Sequence, residues 1–551
     1  MLDFSAHALP YASQRSPVHA RRGMVATSQP QAAQVGLEIL RRGGNAIDAA
    51  IATAAALTVV EPTGCGIGGD AFALVWTRGR LHGLDASGRA PGLLDRERVR
   101  AAGHERMPLY GWTPVTVPGC PAAWAELSRR FGKLPFEQLL RPAIELARDG
   151  FPVSPVIARL WQSGLDKFRA ALPQRPELRA WFDEFLIDGR APRAGEVFRQ
   201  PGQADTLDEL ARSQCESFYR GELARAIVGH AERSGGYLRA EDLAGYQAKW
   251  VEPISLNYRG YDVWEIPPSG QGLIALMTLN ILKGFEFGER DCARTWHRQL
   301  EAMKLAYVDG LHYISQPQSM RVSVEELLHE DYAASRRALI GERALDPSPG
   351  QPRPGGTVYL ACGDEEGNLV SFIQSNYHGF GSGVVVPGTG IALQNRGAQP
   401  RSGPRELPGA GQADLPHHHS RFPQQGRRAA RPVRRDGRLY AAAGPRADGD
   451  EPGGLRPQPP GCPRRAALAV AGRAARRHRT CRAARAGGGA GAAWAPGGDR
   501  LRLDQLRARP DRPARPGQRR ALWRHRAAHR FADRGVVRGP MWVRRGDLSG
   551  G

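Results

Sequence analysis

The first 398 residues of this 551-residue chain predict an α/β fold, on three observations. Two adjacent segments, 31–42 and 46–59, have helical composition; short β-rich runs at 71–76, 358–361 and 369–374 lie between and after helical stretches; and glycines punctuate the joins. The first helix ends in Arg41 and Arg42 followed by Gly43 and Gly44, which suits both a C-terminal stop and the helix dipole. The second begins at Asn45, a good N-cap, and has an alanine-rich, closely packing body. The runs 358–361 and 369–374 flank Asp364-Glu365-Glu366-Gly367-Asn368, a polar turn that makes them a hairpin candidate.

Charge divides the chain. The formal net charge of +22 suggests a nucleic-acid or membrane partner, but residues 399–551 hold 34 Arg, no Lys and 11 acidic residues, a balance of +23. Residues 1–398 are left with −1, an ordinary enzyme surface. Seven cysteines stand without a CxxC pair or metal-ligand spacing, so reduced thiols are expected and no metal site. No segment offers the roughly twenty apolar residues of a membrane helix, and the N-terminus lacks a signal-peptide core. A cytoplasmic protein with no membrane partner is the expectation.

Thr63-Gly64-Cys65-Gly66-Ile67-Gly68-Gly69-Asp70 contains a formal GxGxxG. A dinucleotide site needs a strand before the glycines and a helix after them. Here a helix precedes and the apolar run 72–76 follows, so the glycines read as a tight turn feeding a strand. Gly355-Gly356-Thr357-Val358 is more telling. Glycine lets the backbone bend until the Thr357 hydroxyl reaches the preceding carbonyl, so an N-to-O acyl shift becomes geometrically possible. Once freed, Thr357 would hold nucleophile and base together, because its own α-amine, with a reference pKa of about 8, can take the hydroxyl proton. On local sequence alone a plain turn entering a strand explains Gly-Gly-Thr equally well.

Several separate motifs occur in one order. These are 23–28 (GMVATS), 43–50 (GGNAIDAA), Glu61-Pro62-Thr63 with its glycine turn, Val117-Pro118-Gly119, 142–151 (PAIELARDGF) and 267–272 (PPSGQG). With Thr357 and the segment 374–383 (QSNYHGFGSG), they make residues 1–398 resemble the gamma-glutamyltransferase family. The resemblance implies an N-terminal-nucleophile hydrolase, an αββα four-layer sandwich, cut between Gly356 and Thr357 into two fragments that stay together as a heterodimer. It implies an N-terminal extension at 1–23, a large-subunit region at 24–356 and the start of the small subunit at 357–398. The implied substrate is a small gamma-glutamyl amide such as glutathione, or a related acyl amide. Water, an amino acid or a peptide would serve as acceptor, with no metal or organic cofactor.

Residue by residue, Thr357 matches the family nucleophile and Ser375 falls where a second hydroxyl supports it, while Asn376 and Tyr377 line the same stretch as substrate-binding candidates. Transpeptidases of the family hold the substrate α-carboxylate with an Arg before an Ala-Pro step. In 85–91 (DASGRAP) that position is Ser87, with Arg89 as the candidate replacement. The string Gln394-Asn395-Arg396-Gly397-Ala398 lacks the acidic residues that grip the substrate amino group, which leaves an acylase acting on a different acyl amide open as the alternative.

Beyond Ala398 the resemblance stops, and residues 399–551 contain no Ile, Lys or Asn. Rereading each codon from its second base recovers family-like text. Residues 414–422 are compatible with Thr-Tyr-His-Thr-Ile-Ile-Ala-Gly-Phe. Residues 433–445 are compatible with Phe-Gly-Val-Met-Gly-Gly-Phe-Met-Gln-Pro-Gln-Gly-His, and residues 399–406 with Ser-Leu-Asp-Pro-Gly-His, one free position and Asn. One frameshift near 397–399 explains the tail, including His417 to His419, without a metal site; a genuine Arg-rich disordered tail is the other reading. As written, the tail lacks the paired glycines that the resemblance assigns to oxyanion stabilisation, each such donor being worth about 10²–10³-fold in rate. A poorly folded, largely inactive product is then expected, its tail non-native or disordered. A nucleic-acid partner would need base-stacking aromatics or a binding module, and the tail offers few of the first and none of the second.

Overall fold

The computed structural model describes residues 18–268, 270–314, 320, 322–347 and 358–398, together with the backbone of 541–544. Gly356, Thr357 and the three segments reread in the second frame lie outside the described residues. The first helix, α1, runs Pro30–Arg41 with Pro30 at its first position, where the missing N–H costs nothing and φ is already helical. Gly43 then turns the chain at φ +92°. The second helix, α2 (Ala46–Val60), is buried on all sides, so it is apolar around its whole circumference rather than along one stripe. Its N-terminus is secured three times over. Asn45 Oδ1 accepts from Ile47 N at 3.0 Å and Asp48 N at 2.9 Å, and Asp48 returns a bond to Asn45 N at 3.0 Å. Asp364, from the hairpin turn far along the chain, accepts from Ala46 N at 2.8 Å.

The strands Met24–Thr27, Asp70–Thr77, Arg80–Ala86, Lys249–Val251, Val358–Gly363 and Leu369–Ser375 form one antiparallel sheet. The hairpin made by Val358–Gly363 and Leu369–Ser375 lies inside it, between Met24–Thr27 on one flank and Asp70–Thr77 on the other. Alternation along each strand assigns the two faces. Ala71, Ala73, Val75, Leu84, Val358, Leu360, Val370 and Phe372 join the large core built with α2 and the helices Cys120–Phe131 and Phe136–Asp149. Phe72, Leu74, Trp76 and Leu81 point the other way, against Trp264 and Ile266.

Those last residues introduce a second sheet, in which Ile254–Tyr258 pairs with Tyr261–Glu265 and the latter with Met541–Arg544. Its outer side meets the helices Gly272–Lys283 and Ala293–Tyr313 through Ile254 and Tyr258 against Leu273, Ile281 and Ala302. Helices, sheet, sheet and helices make the αββα sandwich that the resemblance implies. Two glycines are dictated by main-chain proximity in the first half. A Cβ on Gly88 would stand 1.6 Å from Val117 O, and one on Gly119 would stand 1.9 Å from Ala86 O. Among the described residues no helix is long and apolar enough to cross a membrane.

Candidate functional site

The chemistry-bearing residues gather at one end of the sandwich, where Val358 opens its strand. Thr357 is bonded to that residue, so its Cα is held about 3.8 Å from the Val358 Cα by covalent geometry. Val358 pairs with Gln374, and the next position, Ser375, pairs with Asp70 across the following strand boundary. By alternation Ser375 and Asp70 share the face that looks toward the second sheet. The glycine turn presses against this end: a Cβ on Gly64 would lie 2.8 Å from Val358 Cγ2.

Ser375 Oγ accepts from Tyr377 N at 2.7 Å, closing a local turn in which Tyr377 adopts φ +75°, an uncommon conformation for a residue with a Cβ. Asn376 between them is fully buried. Its main chain bonds Gly64 O and Asn395 N, but neither side-chain amide atom has a partner. That amide lies over the glycine turn, 2.9 Å from where a Cβ would stand on either Gly66 or Gly69, so larger residues there would displace it. Gln374, facing the helices, donates to Ala54 O at 2.7 Å and accepts from Cys120 Sγ at 3.2 Å. Burial pushes the Cys65 and Cys120 thiols well up, as suits inert core residues. The five described cysteines are unpaired.

An ion pair stands at the centre of this end. Arg396 Nε and Nη2 donate to Asp70 Oδ2 at 2.6 Å and Oδ1 at 2.8 Å, and the guanidinium stacks over the Tyr377 ring at 5.0 Å. Asp70 is 1% exposed and Arg396 21%. Nearby, Asp85 Oδ1 accepts from Ser87 N at 2.8 Å; burial above all, with the charge of Asp70, pushes the Asp85 carboxyl up despite that bond. Tyr246 donates its hydroxyl to Ser87 O at 3.1 Å, and burial keeps that phenol protonated. Behind the glycine turn, Glu61 accepts from Ser28 Oγ at 2.5 Å and Gln29 Nε2 at 2.9 Å, and burial raises its pKa.

Ser375, Asn376, Tyr377 and Ser87 are therefore brought to one end of the sandwich. Arg89 is exposed, and its guanidinium is turned toward Gly245. Asp70 and Arg396 were not singled out from sequence, although each is a charge set in a glycine-rich or apolar string, GIGGDAFAL and GIALQNRGA. Among the described residues no group of three His, Cys, Asp or Glu side chains could hold a metal ion.

Comparison with known proteins agrees with this geometry. The sequence model of the family described as Gamma-glutamyltranspeptidase matches residues 32–431, running past the point where the composition changes. The Glutathione hydrolase-like YwrD proenzyme of Bacillus subtilis is 36% identical over 380 residues, covering 68% of this chain and 70% of its own length. The Oxamate amidohydrolase proenzyme of Klebsiella pneumoniae is 37% identical over 403 residues, 72% of this chain and 75% of its own. The crystal structure of cephalosporin acylase from Bacillus halodurans superposes with a TM-score of 0.68 at 59% identity, over 72% of this chain and 73% of its own. With a family match over most of its length and the αββα layering in place, the chain belongs to the gamma-glutamyltranspeptidase family.

Proposed function

We propose that the chain is a self-processing amidase or acyltransferase in which Thr357 is both the cutting residue and the nucleophile. The observation that carries this is the placement of Val358 at the start of an interior strand, beside Gln374 and Ser375 and pressed by the Gly64 turn. In processing, the Thr357 hydroxyl adds to the Gly356 carbonyl, the peptide C–N bond breaks to leave an ester, and water hydrolyses that ester. This frees the α-amine. In turnover, that amine takes the hydroxyl proton, the oxygen attacks the substrate amide carbon, and the leaving amine departs with a proton. Water or an acceptor amine then releases the acyl group. Ser375 supports the nucleophile; Asn376, Tyr377 and Ser87 contact substrate, with Arg89 a further candidate.

A gamma-glutamyl amide such as glutathione is the first substrate class. The acylase alternative is favoured by Ser87 standing where transpeptidases of the family place an Arg, and by likeness to a solved cephalosporin acylase. Denaturing electrophoresis tests the proposal, on the chain as written and on the product of a gene with its frame restored at codons 397–399. Two fragments meeting at Thr357, abolished by Thr357→Ala, are expected from the restored gene. A folded, uncut protein with undiminished amidase activity from either gene would refute it.

A further inference from the structure

We propose that Arg396, held by Asp70 and Tyr377, is an anion-binding subsite that receives a carboxylate at the far end of the acyl group, so that the chain selects monoamides of short dicarboxylic acids. The acyl-group sense of this inference rests on the function proposed above; the binding itself does not.

The guanidinium carries five N–H donors in a flat fork. Asp70 takes the Nε hydrogen and one from Nη2, and no other described residue bonds this side chain, so Nη1 and the outer edge are uncommitted. That edge is the one a carboxylate grips with two parallel hydrogen bonds. Asp70 and the ring of Tyr377 fix the plane of the fork from two directions, so little side-chain freedom remains to be lost on binding. A purely structural ion pair would have both groups buried and bonded all round; here the carboxylate is sealed and the cation is left partly open, at 1% and 21% exposure.

Surrounding groups agree. Asp85, the second carboxyl at this end, is engaged by Ser87 N and pushed toward its neutral form by burial, so it competes weakly for the cation. The buried Asn376 amide, with neither atom partnered, adds a donor and an acceptor on the residue next to Tyr377. Val358 pairs with Gln374 and Gln374 with Ala71, the neighbour of Asp70, so the ion pair stands two strand spacings from the start of the Val358 strand, roughly 10 Å between backbones. With the guanidinium leaning into that interval, a short acyl chain with an anionic end can span it.

The experiment is calorimetric titration of the full-length chain with glutarate, with the neutral diamide glutaramide as control and the dicarboxylates from oxalate to adipate as a ruler. Saturable binding of a dicarboxylate is expected, preferring one length. Arg396→Gln should weaken it by about tenfold or more, Arg396→Lys by less, and glutaramide should not bind. Because Arg396→Gln leaves the buried Asp70 unpaired and can unfold the chain, the double variant Asp70→Asn, Arg396→Gln is measured alongside it, having no stranded charge. Absence of dicarboxylate binding to the parent chain, equal binding by the folded double variant, or equal binding of glutaramide would overturn the proposal. Binding without Thr357-dependent turnover would sink the proposed reaction and spare the subsite; turnover without binding would do the opposite.

Discussion

Removing the Asp364 carboxylate probes the joint between the hairpin and α2. Its two oxygens accept four hydrogen bonds: from Ala46 N at 2.8 Å, Glu366 N at 3.0 Å, Asn368 N at 2.9 Å and Asn368 Nδ2 at 2.8 Å. In Asp364→Ala the half-exposed neighbours can turn to water, but the Ala46 and Asn368 amides are buried and would be orphaned. Each orphan costs about 1–3 kcal/mol, and the lost charge at the α2 N-terminus adds about 0.3–1 kcal/mol. The expected loss is therefore about 3–6 kcal/mol, with Asp364→Asn losing roughly half of that because one acceptor oxygen survives. Urea unfolding followed by tryptophan fluorescence reads the loss as a lower midpoint at unchanged slope, and hydrogen exchange at the Ala46 and Asn368 amides localises it. An Asp364→Ala chain within about 1 kcal/mol of the parent would refute the idea that this turn anchors the helix.

The Glu265 carboxyl is raised by burial from its ordinary 4.5 to about 7. Ionising it disfavours the folded state, so stability should fall as pH rises from about 4.5 to about 7 and level off above that. Glu265→Gln should remove this slope, leaving the variant more stable than the parent at pH 8 and equal to it at pH 4; equal thermal midpoints at pH 8 would contradict the argument. Gly88→Ala would set a Cβ 1.6 Å from the Val117 carbonyl oxygen, main chain against main chain, and should yield insoluble protein. Gly288→Ala meets nothing within 4 Å and should stay within about 0.5 kcal/mol of the parent in the same unfolding assay.

Elements with strong local signals were legible in the sequence. The Asn45 cap, the glycine stop at Gly43 and the hairpin around Asp364 to Asn368 each have a local cause, and the observed helices and strands differ from expectation by only a residue or two at most ends. The glycine turn feeding a strand was legible for the same reason, since Asp70–Thr77 follows the glycines directly. Partners set by distance in sequence were hidden. Nothing local to Asp70 says that it will meet Arg396, or that Asp48 will cap α2 and also accept from Lys133 N and Leu134 N. The edge strand Met24–Thr27 was legible only as a family motif, because its four residues gain their ladder from Leu360 to Gly363.

The interior position of the hairpin also decides what a cut before Val358 can achieve. Its strands are zipped on the left to Met24–Thr27 and on the right to Asp70–Thr77, both belonging to the other fragment. Severing one peptide bond there liberates nothing: the shorter piece remains woven into the fabric of the longer, and separation requires melting the whole sheet. The newly made chain terminus is thus born already clamped, unable to fray as ordinary termini do, and an amine that must return to the same spot on every cycle gains its constancy from the weave around it.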